Sequence, residues 1–150
     1  MRIILQRVSH AQVSVDNQVI SCISGGLLLL VGIEAQDSAK DINWLIRKII
    51  NLRIFDDEAG VMNRSIIDTQ QDILAVSQFT LFASTKKGNR PSYHRALAGL
   101  AAEPIFHAFT QALSTTLGKP VLTGQFGAPM QVRLTNEGPV TLFLDSTAPE

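Results

Sequence analysis

Residues 2–33 read RIILQRVSHAQVSVDNQVISCISGGLLLLVGI, and this stretch decides the fold class. It is rich in β-branched and large aliphatic side chains, the kind that suit a pleated, half-buried surface. The spacing predicts strands over 3–8, 11–15, 19–23 and 26–33. Short polar or glycine breaks separate them, Asp16-Asn17 and Gly25-Gly26 among them, as hairpin turns require. The run from Leu27 to Val31 does not alternate, so its strand is expected to be buried on both faces.

Downstream of this block the period changes. Ile42, Leu45, Ile46 and Ile49 fall at i, i+3, i+4 and i+7, one apolar helical stripe, with Asn43, Arg47 and Asn51 off it. Ser38 is the expected N-cap, and Asp41 faces the positive end of the helix dipole. The acidic run Asp56-Asp57-Glu58-Ala59-Gly60 reads as a turn, and 73–76 as a buried strand. A second helix is expected around Phe106, Phe109, Leu113 and Leu117, with Pro104 near its first position and Gly118 and Pro120 closing it. Residues 131–134 and 140–144 suggest a final hairpin whose Pro139 must sit at an edge or bend, because proline cannot donate to a ladder. Residues 145–150 read as a variable tail. The expectation is one α+β domain over 1–150: a mainly antiparallel sheet or barrel with two helices.

Composition narrows the function classes. A chain of 150 residues, 45% of them hydrophobic, suits one domain with a sizeable core. Formal net charge is zero, so nucleic-acid binding has to come from a local patch. The single cysteine, Cys22, lies in an apolar strand and reads as a buried, inert thiol. The N-terminus is too short and too charged for a signal peptide, and Leu27 to Val31 is too brief to span a bilayer. No membrane association and a cytoplasmic location are expected.

Chemistry-bearing residues are sparse. His10, His94 and His107 lack metal-ligand spacing, and Asp56-Asp57-Glu58 lacks the alternation of a calcium loop, so no metal is expected. No phosphate loop of the Walker type and no nucleophile elbow occur. Ser77 and Thr80 follow the 73–76 strand, but the nearest histidine, His94, has no obvious orienting acid. From spacing alone, strand-end hydroxyls that satisfy local backbone groups are the favoured reading. The next segment carries Lys86, Lys87, Arg90 and Arg95, with no Asp or Glu between Asp72 and Glu103. Such a loop is either solvated or faces phosphates.

Two motifs shift these weights. Ser77-Gln78-Phe79-Thr80-Leu81 and Gly138-Pro139-Val140-Thr141 together resemble the D-aminoacyl-tRNA deacylases. So do Leu5-Gln6-Arg7-Val8, Arg53-Ile54-Phe55, Met62-Asn63, Arg90-Pro91-Ser92, Thr123-Gly124 with Phe126, and Met130-Gln131-Val132, so the resemblance covers nearly the whole chain. It implies a cofactor-free homodimer that hydrolyses the ester of D-aminoacyl-tRNA, and of glycine mischarged on tRNA. It further implies that the backbone N–H groups of Phe79 and Thr80 stabilise the oxyanion, while Ser77 and Gln78 shape the site. Met130 and Phe79 would line the pocket and Arg7 would brace a cis Gly138-Pro139 turn. That turn would enter the partner's pocket and exclude L-residues. Lys86, Lys87 and Arg90 would border the tRNA 3′ end. Three rivals stay open: Thr80 as a covalent nucleophile, a non-catalytic tRNA-binding module, and a dimeric structural protein without a ligand.

Overall fold

The computed structural model describes residues 1–149. Strand β1 (Arg2–Val15) runs unbroken through Ser9 and His10, where a break between two strands was expected. Both residues are exposed but extended, so polarity alone did not end the strand. The turn into β2 (Gln18–Ile23) places Asp16 and Asn17 at φ 49° and 62°. Two left-handed residues match the twist of a tight hairpin, and Asn and Asp tolerate that conformation better than other side chains.

Strand β3 (Gly26–Gly32) pairs antiparallel with the first half of β1, and β2 with the second half. Leu27, Leu29 and Val31 point into the larger core, while Leu28 joins Val8, Val13, Ile23, Leu74 and Val76 in a smaller one. This is the expected burial on both faces.

Helix α1 (Ala39–Asn51) buries Leu45, Ile46, Ile49 and Ile50 against the larger core. Its start is fixed by Ser38, whose N–H and hydroxyl both donate to the Asp41 carboxylate, at 3.0 and 2.8 Å. Burial opposes ionisation of Asp41. Hydrogen bonds from Ser146 and Ser38 outweigh it and hold the carboxyl at about 2. Strands β4 (Phe55–Asp56) and β5 (Met62–Arg64) form a small hairpin around the acidic turn. A one-turn helix follows, α2 (Ile66–Thr69), the third helix where two were expected. It is too short to show a period. Its sequence signal was the Ser65–Asp68 capping box, in which Ser65 N–H donates to the Asp68 carboxylate at 2.8 Å.

Strand β6 (Asp72–Ser77) pairs with β3 in parallel, Leu27 opposite Ile73 through Val31 opposite Ser77. The sheet is therefore mixed: antiparallel pairing around β1 still predominates, as expected, and the α1 segment acts as the crossover that this parallel pair needs. Gly26 makes the pairing possible. Its φ is +132°, and a Cβ there would fall 1.9 Å from the Asp72 carbonyl oxygen. After a 3-10 turn (Phe79–Phe82), helix α3 (Gly99–Leu117) starts upstream of the expected position, so Pro104 lies inside it. The Leu100 carbonyl, four residues earlier, loses its helical donor. Leu100 is 93% exposed, which leaves that end of the helix open to water. Phe106, Phe109, Leu113 and Leu117 are buried as the stripe requires, and Gly118 ends the helix at φ 78°.

Strand β7 (Leu122–Thr123) adds to β6 in parallel. The last strand, β8 (Gln131–Asp145), replaces the expected hairpin. Its two halves do not pair with each other. Both pair antiparallel with β1, from Arg2 opposite Asp145 to Ser14 opposite Gln131. Between the Gln6–Thr141 and Val8–Asn136 pairs the ladder opens, and Glu137, Gly138, Pro139 and Val140 bulge opposite Arg7. Pro139 thus sits at the bend that its missing N–H demands. Asp145 is no tail residue: it is buried and accepts from Arg2 Nε at 2.8 Å. Among the described residues no helix is long and apolar enough to cross a membrane.

Candidate active site

The end of β6 is where the chain leaves the core. Gln78 N–H still donates to the Val31 carbonyl at 2.8 Å, but its own φ and ψ of −145° and 82° turn the backbone away. The 3-10 turn then closes with Leu81 N–H on Gln78 O at 3.3 Å and Ala83 N–H on Thr80 O at 3.0 Å. The first N–H groups of any helical turn lack internal acceptors. Here they belong to Phe79 and Thr80, and neither finds an acceptor among the described residues. Two adjacent free N–H groups of one turn can stabilise an oxyanion. The Thr80 hydroxyl, by contrast, has a partner: it accepts from Gln78 Nε2 at 2.6 Å.

This turn borders a pocket of about 630 Å³. Val31, Ile33 and Val76 line it from the ends of β3 and β6, beside Ser77, Gln78 and Phe79. Ala98, Gly99 and Ala102 come from the start of α3, and Phe126, Met130 and Val132 from the segment around the start of β8. The remaining wall is a strap, residues 84–97, which contributes Tyr93, Ala96 and Leu97. Tyr93 meets Phe79 edge to face, with centroids 5.1 Å apart, and both rings are substantially exposed.

The expected site residues thus fall into three groups. Ser77, Gln78, Phe79 and Met130 meet in the pocket, with Thr80 one residue further along the turn. Lys86, Lys87 and Arg90 project from the strap into solvent and enter no ion pair among the described residues. Arg7, Gly138 and Pro139 form a separate cluster on the β1–β8 ladder and do not line this pocket. There Arg7 is buried, donating to Glu137 O at 3.1 Å, Ile54 O at 2.7 Å and Asp56 Oδ1 at 3.2 Å. The Gly138–Pro139 bond is cis. Gly138 has φ +128°, and a Cβ there would stand 2.8 Å from Val140 Cγ2 and 3.1 Å from Arg7 Nη2.

Several contributors were not anticipated. Asn136 clamps the bulge, its Oδ1 accepting from Val140 N–H at 2.9 Å. Tyr93, Leu97 and Phe126 are pocket walls. Tyr93 and Leu97 fall in the acid-free segment and Phe126 in a stretch that carries the family resemblance, but neither position marks a pocket wall in the sequence. Cys22 was expected to be buried but is exposed, because the outer face of β2 is open to solvent despite its apolar sequence. His94 bonds Ser92, Nδ1 to Oγ at 3.0 Å.

The family model for D-Tyr-tRNA(Tyr) deacylase matches residues 4–145. A "D-aminoacyl-tRNA deacylase" from Chromobacterium violaceum is 61% identical over all of both chains. One from Bacteroides fragilis (strain YCH46) is 56% identical over 97% of each. Among solved structures, one described as "c-Myc DNA Unwinding Element Binding Protein" superposes with a TM-score of 0.93 at 42% identity, covering 99% of this chain and 100% of its own. Another, described as a "probable eukaryotic D-amino acid tRNA deacylase", has a TM-score of 0.79 at 19% identity over 95% and 97% of the two chains, a likeness of fold.

Proposed function

Because the chain belongs to the D-Tyr-tRNA(Tyr) deacylase family and is a D-aminoacyl-tRNA deacylase, we propose that the pocket beside the Phe79–Phe82 turn is where the ester is hydrolysed. The observation that carries this is the pair of N–H groups on Phe79 and Thr80 at the pocket's edge, which have no acceptor among the described residues. As water attacks the ester carbonyl, negative charge builds on its oxygen. Two fixed amides stabilise that charge without exchanging a proton. The ribose 2′-OH of the terminal adenosine assists the attacking water. The expelled 3′-oxygen takes up a proton, and free D-amino acid and tRNA leave. Ser77 and Gln78 shape the site and Met130 lines it.

No side-chain nucleophile is needed. Thr80 Oγ accepts from Gln78 and makes no hydrogen bond to a basic side chain among the described residues. This counts against an acyl-Thr80 intermediate, which requires a base within reach of the hydroxyl.

Chirality is assigned to the Gly138–Pro139 bulge of a second copy of the chain. The carbonyls of that bulge receive the substrate ammonium group and leave space only for hydrogen where an L-side chain would stand. Glycine passes, so glycyl-tRNA is also a substrate, and D-side chains point outward. Two features support this reading. The bulge is exposed yet absent from its own pocket, and the outer edge of the long β8 strand is unpaired among the described residues. An open edge carrying exposed Leu134 and Phe143 suits pairing with another copy. Lys86, Lys87 and Arg90 meet the tRNA phosphates, and the reaction takes place in the cytoplasm.

A second reading, nucleic-acid binding without turnover, draws on the description of the 42%-identical relative as a DNA-element binding protein and on the same strap cations. Incubation with D-Tyr-tRNA and L-Tyr-tRNA in parallel separates the two. Rapid release of D-tyrosine alone is expected. Binding of both charged tRNAs without release of either amino acid would establish the second reading instead.

A further inference from the structure

The strap that walls the pocket is fastened at one point by a buried charge. Glu34, just after β3, is only 6% exposed, and among the described residues the one side-chain partner of its carboxylate is Arg95 on the strap. Arg95 Nη2 reaches Oε1 at 3.3 Å and Oε2 at 3.0 Å. The backbones meet at the same place: Glu34 bridges Ala96, and Leu97 N–H donates to Ile33 O at 2.9 Å. The Arg95 guanidinium also lies 5.3 Å from the centre of the Phe82 ring, in the turn that carries the free N–H groups. One ion pair therefore ties together the end of β3, the pocket wall and the Phe79–Phe82 turn.

We propose that Glu34 and Arg95 are positioning residues for the deacylase reaction, holding Tyr93, Ala96 and Leu97 as the wall against which the terminal nucleotide and its ester are seated. The proposal rests on the pocket being the substrate site. A buried carboxylate that loses its only cation is strongly disfavoured, so the pair keeps the strap in one position. The same strap bears Lys86, Lys87 and Arg90, so its placement also sets where those cations meet the RNA.

The test compares Glu34→Gln, Arg95→Met and Arg95→Lys in the full chain, with D-Tyr-tRNA as substrate and hydrogen exchange at Leu97 N–H as a second readout. Glu34→Gln is nearly isosteric, and Arg95→Met puts an unbranched apolar side chain beside Phe82, so folding should survive. If the strap is held by the pair, KM should rise about fivefold or more in Glu34→Gln and Arg95→Met, with kcat within about twofold of wild type. Exchange at Leu97 should quicken in the same two variants, and Arg95→Lys, which keeps the charge, should sit near wild type.

Two patterns would overturn the proposal. A lower or unchanged KM in Glu34→Gln would mean that Arg95, once released, contacts phosphate directly and that the pair positions nothing. A reduced kcat at constant KM with a lowered Tm would mark a structural role only. Should wild type fail to cleave the D-ester, the pocket assignment falls, while exchange at Leu97 still decides whether the pair holds the strap.

Discussion

Thr80 brings two groups to the proposed site: a backbone N–H with no acceptor among the described residues, and a hydroxyl that accepts from Gln78. We assign the work to the first. Thr80→Ala keeps the N–H, so single-turnover cleavage of D-Tyr-tRNA should stay within about tenfold of wild type, whereas losing a covalent nucleophile costs many powers of ten. Phe79 offers a sharper contrast. As the first residue of the turn it tolerates proline, and Gln78 before it is already non-helical. Phe79→Ala removes the ring and keeps the donor; Phe79→Pro removes both. The proline variant should therefore fall below the alanine variant by about 10²–10³ in kcat. Ser77, Gln78 and Phe79 stood out in the sequence through the family resemblance; their place after a buried strand alone favoured hydroxyls that satisfy local backbone groups. The resemblance also named the N–H groups of Phe79 and Thr80, but not the turn that leaves them free, since a 3-10 turn of four residues leaves no period to read.

At the level of elements, α1 shows how local chemistry sets stability. Asp41 has its pKa lowered from 3.8 to about 2 in the folded chain. A depressed carboxyl stabilises the fold above its unfolded pKa, and that contribution disappears as pH falls through the folded value. Asp41→Asn should thus be less stable than wild type at neutral pH. The gap, followed by urea denaturation, should hold down to about pH 4 and close as pH approaches 2. The strap makes a separate prediction. Neutralising Lys86, Lys87 and Arg90 together should weaken tRNA binding and reduce the log–log salt slope by roughly one counterion per lost phosphate contact, leaving D over L preference unchanged. The strap's basic character was legible as a gap in acidic residues. Its role as a pocket wall was not, because the Glu34–Arg95 and Ile33–Leu97 contacts join residues about sixty positions apart in sequence.

For the whole molecule, the sequence showed strands and two of the helices but misjudged how the strands assemble. The expected final hairpin is one strand folded along β1, because both of its halves found the same partner on either side of the Arg7 bulge. The parallel β3–β6 pair depends on a glycine approach that no periodicity records. The result is a single chain whose pocket and Gly138–Pro139 bulge lie apart, and in our proposal the pairing of two copies joins them. The most direct test is a mixed dimer. One subunit carries Gly138→Ala, a strained substitution at φ +128° that crowds Arg7 and Val140; the other carries Phe79→Pro. Each variant alone should be nearly inactive towards D-Tyr-tRNA. Mixed, the intact pocket of the first subunit receives the intact bulge of the second, and close to half of wild-type activity should return. A mixed dimer as inactive as its parents would show that each chain completes its own site, contradicting the account.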